Sequence, residues 1–202
     1  MIPLEPRADF GILADRLLRL LRLDTSVFDE VREDPAATVP AIVVVVSSTL
    51  LAGIGGWLWW LTQDGHFDDG KLFLHSVILG SIFSVALWIV WLLVAWVVLT
   101  QLFREDADWQ QMLRTMGLAS APLALSVAMF IPELSFGIGV ASVALLFGLT
   151  TIAIQATTPT TGAGRVLIGN FAGFAVWALV LGLLVTRDSW LAPGVFLFDI
   201  SS

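Results

Sequence analysis

The chain has 202 residues, 57% of them hydrophobic and only 13% charged, with a formal net charge of −7. Soluble domains are about 25% charged and keep a solvated polar shell, and disordered chains need low hydrophobicity with high charge, so both classes are excluded. The acidic balance excludes a nucleic-acid binder, which needs basic clusters to displace counterions, and the absence of cysteine removes disulfides, thiolate metal sites and thiol catalysis.

Residues 1–38 form a charged arm without the apolar h-region of a secretory signal, and are expected to stay on the protein in the cytoplasm. Within it Phe10, Leu13, Leu17, Leu20 and Leu21 recur at helical spacing, while Arg16, Arg19 and Arg22 follow another face. This predicts an amphipathic helix that either lies in the lipid headgroup layer or packs on the end of a helix bundle, two readings that are compatible. Asp24-Thr25-Ser26 can cap a short helix running to Glu33, and Pro35 and Pro40 mark the approach to the first apolar stretch.

Five stretches then lack Asp, Glu, Lys and Arg: 35–63, 72–103, 115–132, 134–164 and 166–186. A spanning helix needs about 20 mostly apolar residues. Helices are predicted over 39–61, 72–102, 115–132, 136–157 and 166–186, making an all-α polytopic bundle over 39–186 with a short tail at 187–202. The third stretch is short and carries Pro122, so it is either a kinked span or one arm of a re-entrant hairpin with the fourth. In a five-span arrangement eight Arg fall on one side, while Lys71 and Arg187 fall on the other. That bias predicts the N-terminus in the cytoplasm and the C-terminus outside. Nine Arg against one Lys, with no Tyr, fit a GC-rich coding sequence and a bacterial inner-membrane location.

Small residues sit four apart on several of these helices: Ala52 and Gly56, Gly80 and Ser84, Ala144 and Gly148, Gly169 and Gly173. Such pairs let helix backbones approach closely, inside one bundle or between chains. Trp57, Trp59 and Trp60 fit an interfacial belt, as does Trp190. Trp88, Trp91 and Trp96 lie deep in the second helix, where rings pack on neighbours or line a pigment or quinone pocket.

Catalysis usually needs a nucleophile, an acid–base pair or a metal within reach of each other. His66, with Asp64, Asp68 and Asp69, matches no ligand spacing and reads as a solvated turn. His75 is either an interfacial residue or a lone axial ligand to a porphyrin metal. Glu133 is a transport candidate only if its turn folds inward. No enzymatic role, cofactor or metal is expected.

Three segments resemble the Yip1 family of multi-span membrane proteins. One is Arg19-Leu20-Leu21-Arg22-Leu23-Asp24 with Val27-Phe28-Asp29-Glu30-Val31 and Asp34-Pro35. Another is Phe103-Arg104-Glu105-Asp106-Ala107-Asp108-Trp109, then Met112-Leu113-Arg114 and Leu118-Ala119-Ser120-Ala121-Pro122. The last of these is similar to the family's YASAP segment with Leu118 for Tyr. The third is Thr161-Gly162-Ala163-Gly164-Arg165. Residues 118–122 read physically as the start of a helix, with Pro122 in its first turns. The resemblance implies an integral membrane protein without catalytic residues. Eukaryotic relatives bind small GTPases, a partner that does not carry over to a bacterial chain. The expected function is a membrane organiser or scaffold acting through the bilayer and a membrane-protein partner or a second copy. The alternatives are an accessory subunit of a bioenergetic or photosynthetic complex, and a small transporter or channel.

Overall fold

The structure, a computed structural model, describes residues 9–62, 69–131 and 133–184. All of the regular structure described is helical. Two short helices, α1 (Phe10–Leu21) and α2 (Val27–Glu33), precede five segments long and apolar enough to cross a membrane. These are Pro35–Leu61, Gly70–Leu102, Trp109–Phe130, Ser135–Thr157 and Ala163–Leu183. A helix suits lipid because it satisfies its own backbone groups.

The caps follow from sequence. The Asp9 carboxylate accepts from the Gly11 and Ile12 amides at 2.8 and 3.4 Å and starts α1. Leu23, at φ 62°, turns the chain after α1 through the left-handed region. The Asp24 amide then donates to the Arg19 carbonyl at 3.0 Å. Arg104, at φ 56°, closes the second span in the same way, with the Glu105 amide donating to the Leu99 carbonyl at 2.9 Å. In both turns an acidic residue follows the left-handed one.

The first span contains α3 (Thr38–Leu61), with Pro40 harmless in its first turn. The second contains α4 (Asp69–Phe73) and α5 (Gly80–Val97), with wider π turns at Leu74–Leu79 and Val98–Leu102. The third is built in two halves, α6 (Trp109–Ala119) and a 3₁₀ segment, Ala121–Phe130. It begins six residues before the charge-free stretch, because Arg114 is buried inside the span instead of marking its edge. The fourth is α7 (Ser135–Thr157) and the fifth α8 (Ala163–Leu184).

One core joins α5, α6, α7 and α8 around Trp91, Leu92, Met112, Leu146, Ile154 and Leu181. A second joins the arm to the bundle: Leu13, Leu20, Val27 and Phe28 pack with Val44, Leu118, Leu149 and Ala153. The arm therefore shares a core with the spans. The tail expected at 187–202, with Trp190 and Arg187, and the loop carrying Asp64, His66 and Asp68 lie outside the described residues.

Candidate functional site

Inside the bundle Trp91, Thr150, Thr151 and the Phe147 carbonyl converge on Asn170. Small residues on α8 let the helix come close enough for this. A Cβ at Gly173 would lie 2.2 Å from Trp91 Cδ1, and one at Gly169 would lie 3.1 Å from Leu99 Cγ. The Gly169/Gly173 pair thus packs α8 on α5. Asn170, buried between them, accepts from Trp91 Nε1 at 3.0 Å. Its amide donates to Thr151 Oγ1 at 2.7 Å, Thr150 Oγ1 at 3.0 Å and the Phe147 carbonyl at 3.2 Å. One side chain ties α5, α7 and α8 together. The Trp91 ring packs against Phe174 and Trp177 at centroid distances of 5.4 and 5.6 Å. Trp88 is buried, and Trp96 donates to the Ala107 carbonyl at 2.9 Å. These rings fill space between helices.

Gly80 and Ser84 lie on the buried face of α5. Beside them Ser81 donates to the Thr49 carbonyl at 3.2 Å, and a Cβ at Gly53 would stand 2.9 Å from Ser81 Oγ. Ala52 and Gly56 lie on the buried side of α3. Ala144 and Gly148 behave differently. Both are exposed, and among the described residues nothing lies within 4 Å of a Cβ built on Gly148, so this pair is on an outward face of α7.

Leu118-Ala119-Ser120-Ala121-Pro122 is the joint between the halves of the third span. Leu118, Ala119, Ser120 and Pro122 are buried and Ala121 half-buried. This corrects the reading of the segment as the start of the span, which begins at Trp109 under an Asp108 cap. Pro122 does lie in the first turn, but of the 3₁₀ half. It has no N–H to continue the α pattern onto Leu118. Ser120 Oγ donates to the Gly117 carbonyl at 2.6 Å, and the Leu123 amide donates to the Ser120 carbonyl at 3.0 Å. With three residues per turn, side chains three apart align. Leu123, Ser126 and Met129 accordingly form the buried ridge. It presses on α3 so closely that a Cβ at Gly55 would lie 2.2 Å from the Ser126 carbonyl oxygen.

The arm carries an ion-pair network. Arg16 is 9% exposed and pairs with Asp34 at 2.8 Å. It shares the packed face of α1 with Leu13 and Leu20, which corrects its assignment to the polar face. Arg19 bridges Asp24 at 2.8 Å and Glu30 at 2.7 Å, and these partners raise its pKa. Hydrogen bonds from Ser26 and Arg19 hold Asp24 below the usual carboxylate range. Leu17 is half-buried and Arg22 exposed, while Phe10 at 56% and Leu21 at 76% leave a second apolar face open. Arg32 donates to the Ala156 carbonyl at 2.5 Å, and Arg114 donates to the Arg32 carbonyl at 2.7 Å. These bonds stitch α2 to α7 and α6. At the other turn Glu105 meets Arg165 at 2.6 Å and Thr161 at 2.8 Å, which lowers its pKa, Arg165 contributing most.

Sequence reasoning overlooked Arg32 and Arg114 as organising residues; it grouped Asn170 with Thr150, Thr151 and other polar residues able to bond between helices, without singling it out. A lone Asn in an otherwise apolar span was the available signal for Asn170. His75 Nδ1 lies 2.7 Å from the Lys71 carbonyl oxygen, at the π turn of the second span. Glu133 is exposed in its turn. No group of three or more His, Asp or Glu able to hold a metal occurs among the described residues. The chemistry on view is cross-linking of helices by hydrogen bonds and ion pairs.

The sequence model of the Yip1 domain family matches residues 19–187. That stretch takes in α2, all five spans and the turns closed by Asp24 and Glu105. No curated protein and no solved structure matches the chain.

Proposed function

The chain belongs to the Yip1 domain family of membrane proteins, and from this we propose that it is a non-enzymatic membrane organiser that associates with a second copy or another membrane protein. The supporting observation is a stripe of small residues on α7. Gly137, Ala141, Ala144 and Gly148 are all exposed and recur at helical spacing. Their spacing puts them on one face of the helix. Among the described residues nothing lies within 4 Å of a Cβ at either Gly137 or Gly148. A surface facing only lipid has no need of small side chains, whereas a docking helix gains van der Waals contact from them. The arginines of the arm, Arg104 before α6 and Arg165 at the start of α8 favour a cytoplasmic N-terminus.

The test is Gly148→Leu and Ala144→Leu in the full chain, extracted in native lipid nanodiscs. Native mass spectrometry should find wild type with a second copy or a membrane protein, and the variants alone. Because a Cβ at Gly148 meets nothing within 4 Å among the described residues, neither variant should lose more than about 0.5 kcal/mol of stability. A wild-type chain that is monomeric and brings no partner would overturn the proposal.

A further inference from the structure

A cavity of about 640 Å³ opens between α2 and the end of α7. Thr25 and Asp29 line it from the α2 side, Thr151, Ile152 and Gln155 from α7, and Pro159 from the turn before α8. No Lys or Arg lines it among the described residues.

Each of its available polar groups can accept a hydrogen bond. Gln155 Nε2 donates to the Thr158 and Thr161 carbonyls at 3.2 and 3.0 Å, which leaves Oε1 for a ligand. Thr25 Oγ1 has no hydrogen-bond partner among the described residues. The Asp29 carboxylate is 62% exposed, and its nearest cation, Arg32, stands 3.7 Å away, beyond hydrogen-bonding distance. The Thr151 hydroxyl is already taken by Phe147 and Asn170.

One carboxylate with two neutral acceptors suits a monovalent cation that donates hydrogen bonds. A divalent ion would seek more carboxylates. A quaternary ammonium would seek an aromatic cage, and no aromatic side chain lines this cavity among the described residues. A primary ammonium has three donors. The cavity lies where the apolar span of α7 ends, so it sits at headgroup depth. Ile152, 41% exposed, carries its wall onto the outer surface of the bundle. The geometry points to a binding site for a lipid with a primary-ammonium headgroup, of the phosphatidylethanolamine type. The ammonium meets Asp29, Gln155 Oε1 and Thr25 Oγ1, and the acyl chains leave past Ile152.

The experiment titrates the full chain in detergent micelles with phosphatidylethanolamine, phosphatidylcholine and phosphatidylglycerol, counting bound lipid by native mass spectrometry. The ethanolamine lipid should bind at least about tenfold more tightly than the other two, as expected from losing one charge-assisted hydrogen bond. Asp29→Asn should erase this preference. Glu33→Gln should keep it, because Glu33 also pairs with Arg32, at 3.1 Å, but does not line the cavity. If Asp29→Asn does not fold, Thr25→Val carries the test and should weaken only the ethanolamine lipid. Equal binding of ethanolamine and choline lipids, tighter binding of the glycerol lipid, or a preference that survives Asp29→Asn would overturn the inference. So would displacement by millimolar free ethanolamine, which would make the ligand a soluble amine. The readout is lipid alone, so the result is independent of whether α7 recruits a partner.

Discussion

Replacing Asn170 with Ala removes the polar junction of the fourth and fifth spans with the second. The amide has two hydrogens shared among Thr151, Thr150 and the Phe147 carbonyl, and its oxygen accepts one bond from Trp91, so about three bonds operate at once. Interhelical bonds in membranes average about 0.6 kcal/mol, giving about 2 kcal/mol for the set. Leaving the buried Trp91 N–H unpaired adds a further 1–3 kcal/mol, roughly. The expected loss is therefore about 3–5 kcal/mol, measured by SDS titration in mixed micelles with far-UV circular dichroism. Trp91→Phe removes the orphaned donor in advance. In that background Asn170→Ala should cost at least about 1 kcal/mol less than in wild type. Losses under about 0.5 kcal/mol, or fully additive effects, would refute the view that this side chain holds three helices together.

Close approach gives a graded set of tests. Gly173→Ala and Gly55→Ala place a methyl against Trp91 and against the Ser126 backbone, and should each destabilise by about 2 kcal/mol or more in the same titration. Gly148→Ala enters open space and should be neutral or stabilising by up to about 1 kcal/mol. Arg16→Met keeps the aliphatic stem but leaves Asp34 without its 2.8 Å partner. It should loosen α1 by about 1–3 kcal/mol, seen as faster amide exchange over residues 10–21. Asp24 and Glu105 have lowered pKa values in the folded chain, so their contribution is complete at neutral pH. It fades below the unfolded values near about 4 and is lost as pH falls through the lowered ones. Amide exchange at the Leu23 and Arg104 turns should accelerate over that window, and Glu105→Gln should remove the acid response at the second turn.

Charge alone located the five spans, because a charge-free run of about 20 residues has few other uses. It placed the start of the third span six residues late, since Arg114 can hide inside by donating to the Arg32 carbonyl, a contact 82 residues away in sequence. Helical spacing found the packed residues Leu13 and Leu20 of α1. It gave Arg16 to the wrong face because a hydropathy pattern cannot foresee that Asp34 will meet it. The Gly169/Gly173 pair was legible as a packing signal, but the same spacing at Ala144 and Gly148 turned outward, and spacing does not say which way a face points. The cavity at Asp29 could not be read at all, because it joins α2 to residues more than 120 positions away.

The 3₁₀ half of the third span has a consequence for insertion and deletion. At three residues per turn and about 2.0 Å per residue, removing three residues shortens the segment by about 6 Å without rotating Leu123, Ser126 or Met129 off the α3 side. An α-helix losing three residues swings its face by about 60°. This span can therefore change its length to suit a thinner or thicker bilayer in single-turn steps, while α7 and α8 must be altered by whole heptads to keep their partners.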